Sequence, residues 1–117
     1  MNVLIADDSS LVRRNVRRLL STIEGVSSLY ESDSVGSTIA AIENEQPDTV
    51  ILDLHFPDGS GFEVLTHFRD AANPPRVIVL TTFAGESERD RALSLGAASF
   101  LDKSTEYEQL FDLLADH

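Results

Sequence analysis

Short, continuously apolar runs alternate along this chain with segments whose apolar residues recur every three or four positions. Val3-Leu4-Ile5-Ala6, Val50-Ile51-Leu52 and Val77-Ile78-Val79-Leu80 are rich in β-branched residues and offer no polar face. That is the pattern of strands buried on both sides, not of strands with one wet face. With the weaker segments Ser28-Leu29-Tyr30-Glu31 and Phe100-Leu101, they predict strands over residues 2–6, 28–31, 48–53, 76–80 and 98–101. The segment at 28–31 is the least apolar and reads as a strand near a sheet edge.

The intervening segments carry helical spacing. Val12, Val16, Leu19 and Leu20 predict a helix over 9–22, and Val35, Ile39 and Ile42 one over 35–45. Phe62, Leu65 and Phe68 predict 60–70, Ala92, Leu93 and Leu95 predict 86–95, and Tyr107, Leu110, Phe111 and Leu114 predict 105–115. Ser60 with Glu63, Ser87 with Asp90, and Thr105 with Glu108 have the spacing of capping boxes. Gly25 and Gly96 mark helix ends, and Pro47 bars helix before the third strand. Strand and helix alternating throughout imply right-handed crossovers and a parallel sheet covered on both faces. Ligands of such sheets sit beyond the carboxyl ends of the strands.

Those carboxyl ends carry the chemistry. The first run ends in Asp7-Asp8, the third in Asp53, the fourth in Thr81-Thr82, and the last leads through Asp102 to Lys103, the chain's lone lysine. Carboxylates that converge without a counter-charge raise one another's pKa, and a divalent cation removes that conflict. The donors are all oxygens, which points to Mg²⁺, a hard ion that keeps open positions for phosphate oxygens. A carboxylate held beside it can attack phosphorus, with Lys103 and Thr81 holding phosphoryl oxygens. Taken one at a time, these residues have plain readings: Asp7-Asp8 as a helix cap, Asp53 as turn chemistry before Pro57-Asp58-Gly59, Lys103 as a solvated surface group.

Composition narrows the class. The 117 residues suit one domain over 1–117, and 42% hydrophobic content argues against disorder. The net charge of −11 repels nucleic acid and anionic membrane, so neither is expected as a direct partner. There is no cysteine, no run of membrane-spanning length and no phosphate-binding glycine loop, and the chain reads as a cytoplasmic domain. Arg13, Arg14, Arg17 and Arg18 cluster on the first helix, either as a solvated face or as a docking face for a phosphodonor protein. His67 and His117 have no metal-ligand spacing.

Asp7-Asp8, the segment Asp53-Leu54-His55-Phe56-Pro57 with Gly61 following, Thr81 and Lys103 together resemble, over the whole chain, the receiver domain of two-component response regulators. The resemblance implies a doubly wound, flavodoxin-like α/β fold: a five-stranded parallel sheet in order 2-1-3-4-5 with five helices. It implies that Asp53 accepts a phosphoryl group from a sensor histidine kinase or phosphotransfer protein. Asp8, Asp53 and the backbone carbonyl of His55 would bind Mg²⁺, with Asp7 assisting through water. Thr81 and Lys103 would hold the phosphoryl oxygens, and Phe100 would turn inward as Thr81 moves. The surface around 84–108 would then bind a downstream protein or a second copy. Ser104 stands where the family commonly has a proline. Bulky His55 and Phe83 flank the expected path of an attacking water, which should slow loss of the phosphoryl group.

Two other readings compete. A phosphatase of the haloacid dehalogenase type would need an acid–base aspartate two residues after its nucleophile, where this chain has His55 or Ser9. A binding-only module would keep the fold without phosphorylation.

Overall fold

Alternation along each strand decides the architecture. The computed structural model describes residues 1–115. Its elements, in chain order, are β1 (Asn2–Ala6), α1 (Ser10–Leu20), β2 (Ser28–Ser32), α2 (Val35–Glu45) and β3 (Thr49–Leu52). There follow β4 (His55–Phe56), β5 (Gly59–Ser60), α3 (Gly61–Phe68), β6 (Arg76–Thr81), α4 (Glu86–Ser94), β7 (Ser99–Asp102) and α5 (Gln109–Ala115). The main sheet runs β2-β1-β3-β6-β7, all neighbours parallel. Setting the short β4–β5 pair aside, that is the expected 2-1-3-4-5.

Successive side chains of a strand point to opposite faces. Val3, Ile5, Ile51, Ile78, Leu80 and Leu101 therefore meet Val16 and Leu20 of α1 and Leu110 and Leu114 of α5 in one apolar cluster. Leu4, Ala6, Val50, Leu52, Val77, Val79 and Phe100 meet Val35 and Ile42 of α2, Val64 and Leu65 of α3 and Ala92 of α4 in the other. Most of these side chains are under 5% exposed, and burying each valine, leucine, isoleucine or phenylalanine is worth about 1.5–3 kcal/mol. A sheet with two dry faces is a rigid frame for whatever stands at its edge.

The predicted helix starts are met unevenly. Ser60 and Glu63 do form a capping box on α3. The Ser87/Asp90 box does not form, because Gly85 is the N-cap of α4 and Ser87 already lies inside the helix; Gly85 makes no side-chain cap bond. The Thr105/Glu108 box is also absent: α5 starts at Gln109, and the turn before it is organised by Asp102 and Glu106 instead. α2 carries a box that alternation alone did not announce, between Ser34 and Ser37. Gly96 at φ 104 closes α4, as expected of a residue without Cβ.

The β4–β5 hairpin was also unannounced. His55 pairs with Ser60 and Phe56 with Gly59, so Pro57-Asp58 forms a two-residue turn. Asp58 then fastens this turn to α2: its Oδ1 accepts from the Val35 amide at 2.7 Å and its Oδ2 from the Gly36 amide at 3.0 Å. Those bonds hold the Asp58 carboxyl below its ordinary pKa. No helix among the described residues is long and apolar enough to cross a membrane.

Candidate functional site

Parallel pairing sets the strand ends side by side: Ala6 is opposite Leu52, and Thr81 opposite Asp102. The residues just beyond inherit that alignment. Asp7, Asp8 and Asp53 bring one carboxylate oxygen each within 4.8 Å of one another. Asp7 and Asp53 are buried, 3% and 6% exposed, while Asp8 is open to solvent. The Asp53 amide donates to the Ala6 carbonyl at 2.9 Å, continuing the ladder and holding the residue rigidly. The Leu54 amide donates to Asp53 Oδ1 at 2.7 Å.

Lys103 closes the pocket. Its Nζ lies 2.6 Å from Asp7 Oδ2 and 2.9 Å from Asp53 Oδ2. Burial pushes the Asp7 carboxyl above its ordinary pKa, although the Lys103 and Ser9 hydrogen bonds oppose it. Burial also works against the charge on Lys103, but its bonds to Asp7 and Asp53 outweigh that and raise its pKa. The pocket thus gathers three carboxylates around a single ammonium. The donor set is therefore fitted to a hard cation, being oxygen only and partly open at Asp8.

Thr81 is fully buried at the end of β6. Its hydroxyl oxygen accepts from the Phe83 amide at 3.1 Å, and its carbonyl accepts from the Lys103 amide at 3.0 Å. The expected site residues Asp7, Asp8, Asp53, Thr81 and Lys103 thus stand at four adjacent strand ends. His55 leads the β4–β5 hairpin with its side chain exposed. Gly61 lets the hairpin return close to Asp53: a Cβ there would collide with the Asp53 carbonyl oxygen and crowd Leu54.

Four findings refine the sequence reading. No cis peptide bond occurs among the described residues, so Lys103-Ser104 is trans, and Lys103 nevertheless reaches Asp53. His55 and Phe83 stack face to face, with centroids 3.7 Å apart and planes at 20°, bridging the segments that leave β3 and β6. Phe100 is already inward, at 3% exposure, with the Arg89 guanidinium 5.5 Å above its ring. The four arginines do not act as one face. Arg13 and Arg17 each bond Glu31 at 3.0 Å, and Arg13 also donates to the Asp7 carbonyl at 2.7 Å, so they brace α1 against β2. Arg14 and Arg18 stay exposed.

Elsewhere the pattern is quieter. A cleft of about 780 Å³ opens at the opposite edge of the sheet between Ile42, Pro47, Phe68 and Pro74, and holds none of these residues. His67 packs edge-on against Phe68, and His117 lies outside the described residues.

Comparison with known proteins agrees with this geometry. The chain matches the family profile of the response regulator receiver domain over residues 3–115. It is 35% identical over 102 residues to the KDP operon transcriptional regulatory protein KdpE of Escherichia coli, covering 87% of this chain and 44% of that one. The chain spans about half or less of the length of the curated relatives it matches. The signal receiver domain of response regulator NarL from Mycobacterium tuberculosis superposes with a TM-score of 0.88 at 29% identity, covering 98% of this chain and 93% of that one. The Mn²⁺-bound form of response regulator Rcp1 superposes with a TM-score of 0.80 at 26% identity, covering 98% and 89%.

Proposed function

The chain belongs to the response regulator receiver family, and from that premise we propose that residues 1–117 form one phosphorylation-controlled receiver switch whose phosphoacceptor is Asp53. The observation that carries the assignment is the Lys103 ammonium bonded to both Asp7 and Asp53, at the ends of three different strands. A metal relative, Rcp1 in its Mn²⁺-bound form, supports a divalent cation at the acidic pocket, and the oxygen donors favour Mg²⁺. Asp8, Asp53 and the His55 carbonyl would hold it, with Asp7 through water. When bound, it would neutralise developing charge on the phosphoryl oxygens.

The chain's own residues do the rest. An Asp53 oxygen attacks phosphorus of a donor phosphohistidine. The O–P bond forms as the N–P bond breaks, and its electron pair leaves with the donor imidazole, which takes up a proton. Lys103 passes from its ground-state bonds to a phosphoryl oxygen. Thr81 turns its hydroxyl to another, giving up the bond from the Phe83 amide. Catalysis is limited to the chain's own phosphorylation and its reversal by water; no outside substrate is turned over. The haloacid dehalogenase reading weakens further, because Ser9 is engaged as the N-cap of α1 and His55 is stacked on Phe83.

The donor is a sensor histidine kinase or phosphotransfer protein. Exposed Leu11, with Arg14 and Arg18 at helical spacing on the same side of α1, is the face it would meet beside the pocket. Output leaves through the surface around 84–108 to a protein partner or a second copy. The net charge of −11 speaks against direct nucleic-acid contact by these residues, and a cytoplasmic location goes with such a donor.

Intact mass after incubation with acetyl phosphate and Mg²⁺ tests the proposal. One phosphoryl group gained, and lost both in Asp53→Ala and without metal, is the expected result. A gain that survives Asp53→Ala would overturn the assignment.

A further inference from the structure

Lys103 heads an exposed loop with no proline, yet its ammonium is aimed at two buried carboxylates. A hydrogen-bonded turn accounts for this. Asp102 Oδ1 accepts from both the amide and the hydroxyl of Ser104, each at 2.8 Å. Glu106 Oε1 accepts from the Asp102 amide at 3.1 Å, while the Glu106 amide donates back to the Asp102 carbonyl at 2.8 Å. The Thr105 amide donates to the same carbonyl at 3.3 Å, and the Lys103 amide to Thr81 at 3.0 Å. Every backbone N–H from Asp102 to Glu106 is therefore engaged, in a segment whose Ser104 and Thr105 are exposed. Free loops do not show this; fixing each residue opposes about 1–2 kcal/mol of backbone entropy.

The network has a second effect. Asp102 and Glu106 are the carboxylates nearest Lys103 in sequence and would compete for its charge. Asp102 Oδ1 is already engaged by Ser104, and Glu106 by the Asp102 amide, by Arg89 at 3.8 Å and by the Gln109 side chain at 3.3 Å. The ammonium is left to Asp7 and Asp53.

We propose that Asp102 is a positioning residue: its turn with Ser104 and Glu106 presents Lys103 to Asp53. The proposal rests on the reading of Asp53 as phosphoacceptor and Lys103 as its phosphoryl-binding cation. It assigns no contact between Asp102 and the reacting atoms.

The test is a mutant cycle in the full chain, reading the acetyl phosphate phosphorylation rate at saturating Mg²⁺ with a thermal midpoint for each protein. Asp102→Ala should slow the parent by about tenfold, as expected when two hydrogen bonds that order the turn are lost. In a Lys103→Ala background the same change should have no further effect, because there is nothing left to aim. Asp102→Asn, whose amide oxygen can accept both Ser104 donors, should restore the rate to within about twofold. Should Asp102→Ala fold poorly, Ser104→Ala removes one donor only and should show a smaller slowing with the same dependence on Lys103. Equal slowing in both backgrounds would mean a general structural role and overturn the proposal, as would no slowing in the parent. If Lys103→Ala itself leaves the rate unchanged, the assignment of Lys103 fails first and the role of Asp102 with it; if Lys103→Ala slows and Asp102→Ala does not, only the latter fails.

Discussion

Lifetime of the phosphorylated state should depend on the His55–Phe83 stack. The two rings lie 3.7 Å apart at 20° and bridge the segments that follow two adjacent strands, β3 and β6. An attacking water is expected to come between those segments. A stacked aromatic pair is worth about 0.5–1.5 kcal/mol beyond its buried area. If the rings must part before water enters, that energy adds to the barrier, and a tenfold change in rate corresponds to about 1.4 kcal/mol. Removing the stack should therefore speed dephosphorylation by about 2- to 13-fold. The assay is loss of the phosphoryl group from His55→Asn, Phe83→Ala and the double variant after removal of donor, followed by intact mass. Each single variant opens the stack, so the double should be little faster than either. A double variant no faster than the parent would refute the reasoning, and singles whose effects multiply would show that the rings act separately.

Other outcomes follow from the pocket and its frame. Lys103→Met leaves its carboxylates without their ammonium and should cost about 3 kcal/mol without metal; Mg²⁺ should recover part of it and bind more tightly, and equal losses with and without Mg²⁺ in thermal melts would contradict the charge argument. Gly61→Ala should cost about 1–3 kcal/mol in urea unfolding, because its Cβ meets backbone rather than a yielding side chain. Glu31→Gln should cost at most about 1 kcal/mol near neutrality, since the ion pairs are partly exposed. Slight burial opposes its charge, but Arg17 and Arg13 hold the Glu31 carboxyl below its ordinary 4.5. Its contribution is thus present above 4.5 and lost as pH falls through the folded value, so parent and variant should converge in acid.

The frame was legible because strands buried on both faces leave an unmistakable apolar run, as in Val77-Ile78-Val79-Leu80. The pocket was legible because parallel strands share one carboxyl edge, so Asp7, Asp53 and Lys103 could be placed together before any contact was known. What escaped were features that depend on which of several polar partners wins. Four arginines at helical spacing look alike in sequence, yet only Arg13 and Arg17 reach Glu31 on β2. Thr105 and Glu108 have capping spacing, but Asp102 and Glu106 took the free amides first. The β4–β5 hairpin is two residues a side, too short for any periodicity to register.

The attachment of α4 has a consequence for how a signal leaves the pocket. Its start has no side-chain cap, Ala92 is its only buried residue, and Leu93 is 41% exposed. Arg89, through the Phe100 carbonyl at 3.3 Å and Glu106 at 3.8 Å, and Arg91, 4.1 Å from the centroid of the Phe62 ring on α3, are its polar tethers. A helix held by one buried methyl group and two cations should open at lower free energy than α1 or α5, whose leucines fill the opposite core. Its backbone amides should exchange with solvent earliest among the helices. Reorganising it then takes little work, and the loop that carries Lys103 shares its Arg89 tether. Phosphorylation would act by releasing the most weakly anchored helix and leave the rigid sheet in place.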